Sequence, residues 1–142
     1  MKKIVAGALG ALLLVTGCAH RETKCEAFKE TFKQNKVMFA QNKADLTLES
    51  KQVLDKQIDW LKKNPNKKVI VKGYTDPTGS TAHNMQLGMD RAESVKAYFV
   101  ENGINPNRVS VVSFGEQDLA STKNTPQSRQ LDRRAVTVIV TE

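Results

Sequence analysis

The chain is poor in the residues from which most catalytic and metal centres are built. It has two histidines, His20 and His83, and two cysteines, Cys18 and Cys25. There is no CxxC and no Cys/His cluster with zinc-ligand spacing, so neither a metal nor another cofactor is expected. No serine or cysteine has a base at a recognisable spacing, and neither G-x-S-x-G nor H-E-x-x-H occurs. Asp76 and Glu93 could be paired on paper as two glycosidase carboxylates, but nothing else in the sequence supports that chemistry. A binding module, not an enzyme, is the expectation. Aromatic residues make up 6% of the chain, and the 22 Lys and Arg form no basic stripe with interleaved aromatics, which argues against nucleic acid as a partner. A long apolar run is also missing: Ile4 to Val15 is too short to span a bilayer as a permanent helix.

What that short run does offer is a processing signal. Lys2 and Lys3 precede it, and Leu14-Val15-Thr16-Gly17-Cys18 closes it, which reads as a signal peptide. Glycine immediately before Cys18 resembles a bacterial lipobox. That resemblance implies cleavage before Cys18, diacylglycerol on its thiol and acylation of the new amino terminus with a chain such as palmitate. Three acyl chains bury far more than the single chain that binds only marginally, at ~0.8 kcal/mol per methylene. Ala19, where an Asp could stand, implies transfer to the outer membrane by resemblance to enterobacterial lipoproteins. Cys25 is then left as an unpaired thiol or an intermolecular bridge. The expected division is residues 1–17 as signal peptide, 18–36 as lipidated terminus and tether, and 37–142 as one globular domain. Eighteen tether residues after Cys18 reach at most ~60 Å. Without Lys2 and Lys3 the formal charge of +7 becomes +5, an excess that suits a solvated face first and an anionic polymer second.

Past the tether the pattern alternates between strand and helix. Val37-Met38-Phe39 reads as a first strand. Thr47 is a fair N-cap, Glu49 complements the helix dipole, and Leu54, Ile58 and Leu61 recur at i, i+4, i+7 beside Val53, Gln57 and Trp60. Asn64-Pro65-Asn66 ends that helix. Val69-Ile70-Val71 has the β-branched density of a buried strand, and Gly73 to Ser80 has the composition of a loop. A second helix should follow, closed by Asn102-Gly103. Arg108 to Phe114 alternates as a third strand, Gly115 to Arg129 is long, polar and without period and reads as a mobile loop, and Ala135 to Val140 alternates as the last strand. The expected fold is α+β: a two-layer sandwich with two main helices on one face of a small mixed β-sheet, in the order β-α-β-α-β-β with a hairpin-like final pair. Right-handed crossovers would put the loops after the strands at one end.

The second helix carries an anomaly. Leu87, Gly88, Ala92, Val95 and Phe99 form its apolar stripe, yet Asn84 and Arg91 sit inside it. A guanidinium abandoned there would cost several kcal/mol, so it needs a carboxylate. Asp76, at the mouth of the preceding loop, is the nearest candidate. Either the two form an internal salt bridge that pins helix to strand, or they act as a clamp in which Asp76 takes an ammonium and Arg91 forks a carboxylate of one ligand.

These residues resemble a known family. Gly73-Tyr74-Thr75-Asp76, Gly79, Asn84-x-x-Leu87-x-x-x-Arg91-Ala92-x-x-Val95 and Phe39-x-x-Asn42-Lys43-x-x-Leu46 are similar to the peptidoglycan-binding domain shared by peptidoglycan-associated lipoproteins and the C-terminal part of outer-membrane protein A, from about Val37 to Val140. The resemblance implies an outer-membrane lipoprotein, facing the periplasm, that binds the diaminopimelate-containing stem peptide of peptidoglycan without covalent bonds and tethers membrane to wall. Carried onto this chain, Asp76 would accept the ligand ammonium, Arg91 would fork its carboxylate, Thr78 would add hydrogen bonds, and Asn84 would contact the peptide backbone. Arg134, from an Asp132-Arg133-Arg134 run where the family has Asn-Arg-Arg, would be a second carboxylate donor. The alternative is an adaptor of a trans-envelope complex, with Tol-type periplasmic proteins as partners and wall binding secondary.

Overall fold

The computed structural model describes residues 35–120 and 123–140. The expected signal peptide, Cys18, Cys25 and most of the tether fall outside the described residues. Seven elements follow in order: β1 (Lys36–Met38), α1 (Leu48–Lys63), β2 (Val69–Tyr74), α2 (Thr81–Glu101), β3 (Val109–Gly115), α3 (Pro126–Asp132) and β4 (Arg134–Ile139). A 3-10 turn at Pro106–Arg108 leads into β3. The fold is α+β, with the helices packed on an open mixed four-stranded sheet.

Local chemistry sets the boundaries. The Thr47 side chain accepts from Ser50 N at 3.1 Å and so caps α1, which stops at Lys63 with Asn64 as C-cap. Helix α2 is capped by Ser80 and ends at Asn102, after which Gly103 takes a φ of 95° that a Cβ would oppose. The apolar stripes meet as the 3.6 period predicts: Leu54, Ile58 and Leu61 of α1 and Ala92, Val95 and Phe99 of α2 are buried with Val69 and Val71 of β2.

Two expectations need correction. The sheet order is β1-β4-β2-β3, so β3 and β4 are not a hairpin: β3 lies parallel to β2 on one side, and β4 runs antiparallel between β2 and β1. The long connection from Glu116 to Arg133 supplies the length to carry the chain across. That connection is also not all loop, because it contains α3, started by a capping box of Thr125 and Ser128 with Pro126 at its first position.

Strand β2 and helix α2 touch backbone to backbone. A Cβ built on Gly73 would sit 1.7 Å from the Gly88 carbonyl oxygen, and one on Gly88 would sit 2.3 Å from Ser113 Oγ. This contact seats α2 directly on the sheet and fixes both ends of the loop between them.

Candidate functional site

The loops that follow β1 and β2 open at the same end of the sheet. With the first turns of α2 they enclose a cavity of about 310 Å³ lined by Gln41, Asn42, Asp76, Thr78, Gly79, His83, Asn84, Leu87 and Arg91. Of the residues expected to act together, Asp76, Thr78, Asn84 and Arg91 therefore share one cavity.

Arg91 forms its floor and is 0% exposed. Its Nε donates to the Lys43 carbonyl at 2.8 Å, Nη1 to that of Tyr74 at 2.9 Å and Nη2 to that of Ala40 at 3.0 Å. The Phe39 ring lies 5.3 Å below the guanidinium. Arg91 makes no ion pair with Asp76, so the argument that a buried guanidinium must find a carboxylate gave the wrong partner. Carbonyl dipoles from two loop mouths do the work, because each is aimed at a fork whose N–H directions are fixed. That accounts for three of the five N–H groups of a residue that also lines the cavity. Desolvation lowers the Arg91 pKa to about 10, with Asp76 opposing that fall and Arg133 adding to it. The group is still charged at neutral pH.

Asp76 stands at the rim. Its Oδ1 accepts from Thr78 N at 3.0 Å and also from Thr78 Oγ1, while Oδ2 accepts from Arg133 Nη1 at 3.3 Å. Burial pushes the carboxyl pKa up, but the Thr78 bonds and the Arg133 cation outweigh it and hold it below the usual aspartate value. Arg133, whose Nε also donates to the Phe39 carbonyl at 3.1 Å, is the residue the sequence reading missed. Two like residues in a row gave no sign of which one bonds Asp76.

Arg134 is not among the cavity's lining residues. Its guanidinium lies 4.0 Å over the Tyr74 ring, which stacks on Phe114 at 5.4 Å, and it donates to the carbonyls of Asp132 at 3.3 Å and Asp118 at 3.0 Å. It holds Tyr74 and the incoming loop from behind. Asp132, buried, accepts from Ala120 N at 2.7 Å and so organises the same loop. The carboxylate that stands in place of the family asparagine serves that connection.

The far side of the mouth was also missed. Asn42, in a left-handed conformation at φ 56°, accepts from His83 Nε2 at 2.8 Å, which joins the β1 loop to the start of α2. On the opposite flank Glu116 accepts from Thr81 Oγ1 at 2.8 Å and from Asn84 Nδ2 at 3.3 Å. No group of three or more His, Cys, Asp or Glu among the described residues is arranged to hold a metal ion. What the cavity offers is hydrogen bonding and charge: the Asp76 carboxylate and the buried Arg91 guanidinium line it, Arg133 bonds that carboxylate from behind, and Glu116 bonds Asn84.

Residues 38–133 match the OmpA family. A peptidoglycan-associated lipoprotein of Haemophilus influenzae is 36% identical over 102 residues, which are 72% of this chain and 67% of that protein. One from Pseudomonas putida is 38% identical over 96 residues, 68% and 57% of the two chains. The chain spans roughly three fifths to two thirds of the length of these relatives. The crystal structure of the peptidoglycan-associated lipoprotein from Burkholderia pseudomallei aligns with a TM-score of 0.75 at 24% identity, covering 78% of this chain and 93% of that one. The C-terminal domain of Helicobacter pylori MotB aligns with a TM-score of 0.70 at 19% identity, over 75% and 84%. At these identities the structural likeness speaks to the fold.

Proposed function

Because the chain belongs to the OmpA family, we propose that it is a peptidoglycan-associated lipoprotein whose cavity takes the stem peptide of the wall. The proposed ligand group is meso-diaminopimelate, which presents an ammonium beside a carboxylate. Asp76 takes the ammonium, the free N–H groups of Arg91 take the carboxylate, and Thr78 and Asn84 bond the adjoining peptide. The observation that carries the reading is the convergence of Asp76, Asn84 and Arg91 on one cavity with unlike charges at its rim and floor. Counting Arg133 and Glu116, two carboxylates stand against two guanidinium groups, a balance that suits a ligand group carrying both an ammonium and a carboxylate.

In this proposal residues 1–17 are removed, Cys18 carries the lipid that holds the protein in the outer membrane facing the periplasm, residues 18–36 are the tether, and 37–142 hold the wall. The names of the relatives support the lipoprotein and peptidoglycan parts of it. The adaptor reading, with Tol-type partners, shares the same cavity and differs in what the protein does when it is not on the wall.

Co-sedimentation of the protein with purified peptidoglycan tests the proposal. Binding should be displaced by a free tripeptide ending in diaminopimelate, and displaced less well by the lysine counterpart, which lacks the second carboxylate. Failure to sediment, or equal competition by both peptides, counts against the diaminopimelate reading.

A further inference from the structure

Asn84 is 2% exposed, and its side-chain amide has two ends of opposite polarity. Which end faces the cavity decides whether this position accepts from a ligand or donates to it. Glu116, on the loop after β3, settles the matter. Its carboxylate accepts from Thr81 Oγ1 at 2.8 Å through one oxygen and from Asn84 at 3.3 Å through the other. An ionised carboxylate can only accept, so the amide must turn its Nδ2 toward Glu116. With the amide so turned, its Oδ1 lies toward Gly79, one of the cavity's lining residues, 3.5 Å from a Cβ built there. The oxygen is therefore on the cavity side.

We propose that Glu116 is a positioning residue that fixes Asn84 as a hydrogen-bond acceptor, so that this position selects a ligand N–H and rejects a ligand carbonyl. The inference rests on the cavity being the stem-peptide site and specifies the polarity of one of its contacts. Asp76 and Asn84 then form an acceptor side of the cavity, and Arg91 a donor side, so a peptide can lie across it in one direction only. Glu116 never touches the ligand.

The test uses the full chain in detergent and, as probe, a soluble muropeptide ending in meso-diaminopimelate, with affinity read by calorimetry and folding by thermal melting. Glu116→Ala frees the amide to turn, and affinity should fall about tenfold. Glu116→Gln should recover to within about threefold, because the Thr81 hydroxyl can accept from the new amide while Asn84 keeps its acceptor. Asn84→Asp alone sets two carboxylates against each other and should bind poorly. Adding Glu116→Gln to Asn84→Asp supplies a donor to one oxygen of the new side chain, leaves the other as an acceptor toward the cavity, and should restore binding. If that double variant stays folded but weak, Asn84 donates to the ligand and the inference is overturned. Wild-type affinity in Glu116→Ala would overturn it as well. Asp76→Ala separates the two levels: if it binds as well as the unmodified chain, the reading of the cavity itself fails, and if it is weak while Glu116→Ala is not, only the role given to Glu116 fails.

Discussion

The floor and the rim of the cavity come from the same two elements, β2 and α2, yet they follow different rules. On the floor, Arg91 spends three N–H groups on backbone carbonyls, and Gly73 and Gly88 lie in contact with nothing between them. On the rim, Asp76 is bonded to a loop threonine and a half-buried arginine, and Asn84 lines the cavity with its amide nitrogen bonded to Glu116. Two charged residues that look like equal halves of a clamp in the sequence are therefore unequal. One is tied into the architecture and lends what is left over, while the other is held in place so that it remains available.

The largest expected effect lies on the floor. Gly73→Ala would drive a methyl into the Gly88 carbonyl, beyond the ~1–3 kcal/mol usual for overpacking, because backbone on both sides has nowhere to go. No cooperative thermal transition should survive, and a folded variant would show that strand and helix are free to separate. Arg91→Ala comes next. Stripping three carbonyls of their donors, at ~1–3 kcal/mol each, should lower stability by at least ~3 kcal/mol in urea unfolding, with Arg91→Lys falling between because an ammonium cannot fork. Should Arg91→Ala lose wall binding at an unchanged urea midpoint, the division into floor and rim is wrong.

On the rim the order of effects reverses. Asp76→Ala should lose about 2–5 kcal/mol of ligand binding, read by co-sedimentation, with a smaller loss of stability than Arg91→Ala. The pKa of Asp76 is lowered in the folded chain, so its ionised form adds stability above the unfolded value and that contribution is lost as pH falls through the folded one. Its carboxyl resonance should accordingly titrate below 3.8, and Arg133→Ala should move the midpoint up. A midpoint unmoved by that substitution would remove Arg133 from the site. The smallest effect is expected at His83, an exposed side chain whose bond to Asn42 joins two loops. His83→Ala should change stability by under ~0.5 kcal/mol, and a larger loss would mean that the rim also holds up the fold.

Much of the fold was legible because its signals are local. Thr47, Asn64-Pro65-Asn66 and Asn102-Gly103 mark ends, and the stripes of Leu54-Ile58-Leu61 and Ala92-Val95-Phe99 mark faces. The order of strands was not legible, since β4 inserting between β1 and β2 depends on pairings more than sixty residues apart, which no short window contains. The start of α3 was readable in Thr125-Pro126 and was passed over for want of an apolar period. At the site, spacing along α2 led to Asn84 and Arg91, and the strand end led to Asp76. Arg133, Asn42 and Glu116 arrive from other parts of the chain. Only folding shows that Arg133 reaches Asp76 while Arg134 turns away to Tyr74.

The short strand β1 has a mechanical consequence. It enters the sheet at Lys36, at the end away from the cavity, and delivers the chain to Gln41 and Asn42 on the rim. Its partner β4 runs antiparallel to it, with Lys36 opposite Val136 and Met38 opposite Arg134, and further bonds from Phe39 N to the Arg133 carbonyl and from Thr137 N to that of Asn35. Tension between the chain ahead of Lys36 and anything gripped in the cavity thus runs lengthwise along the strands. The rungs between β1 and β4 share that load together in shear and do not open one after another as a zipper would. A strand of three residues can in this way bear force out of proportion to its length.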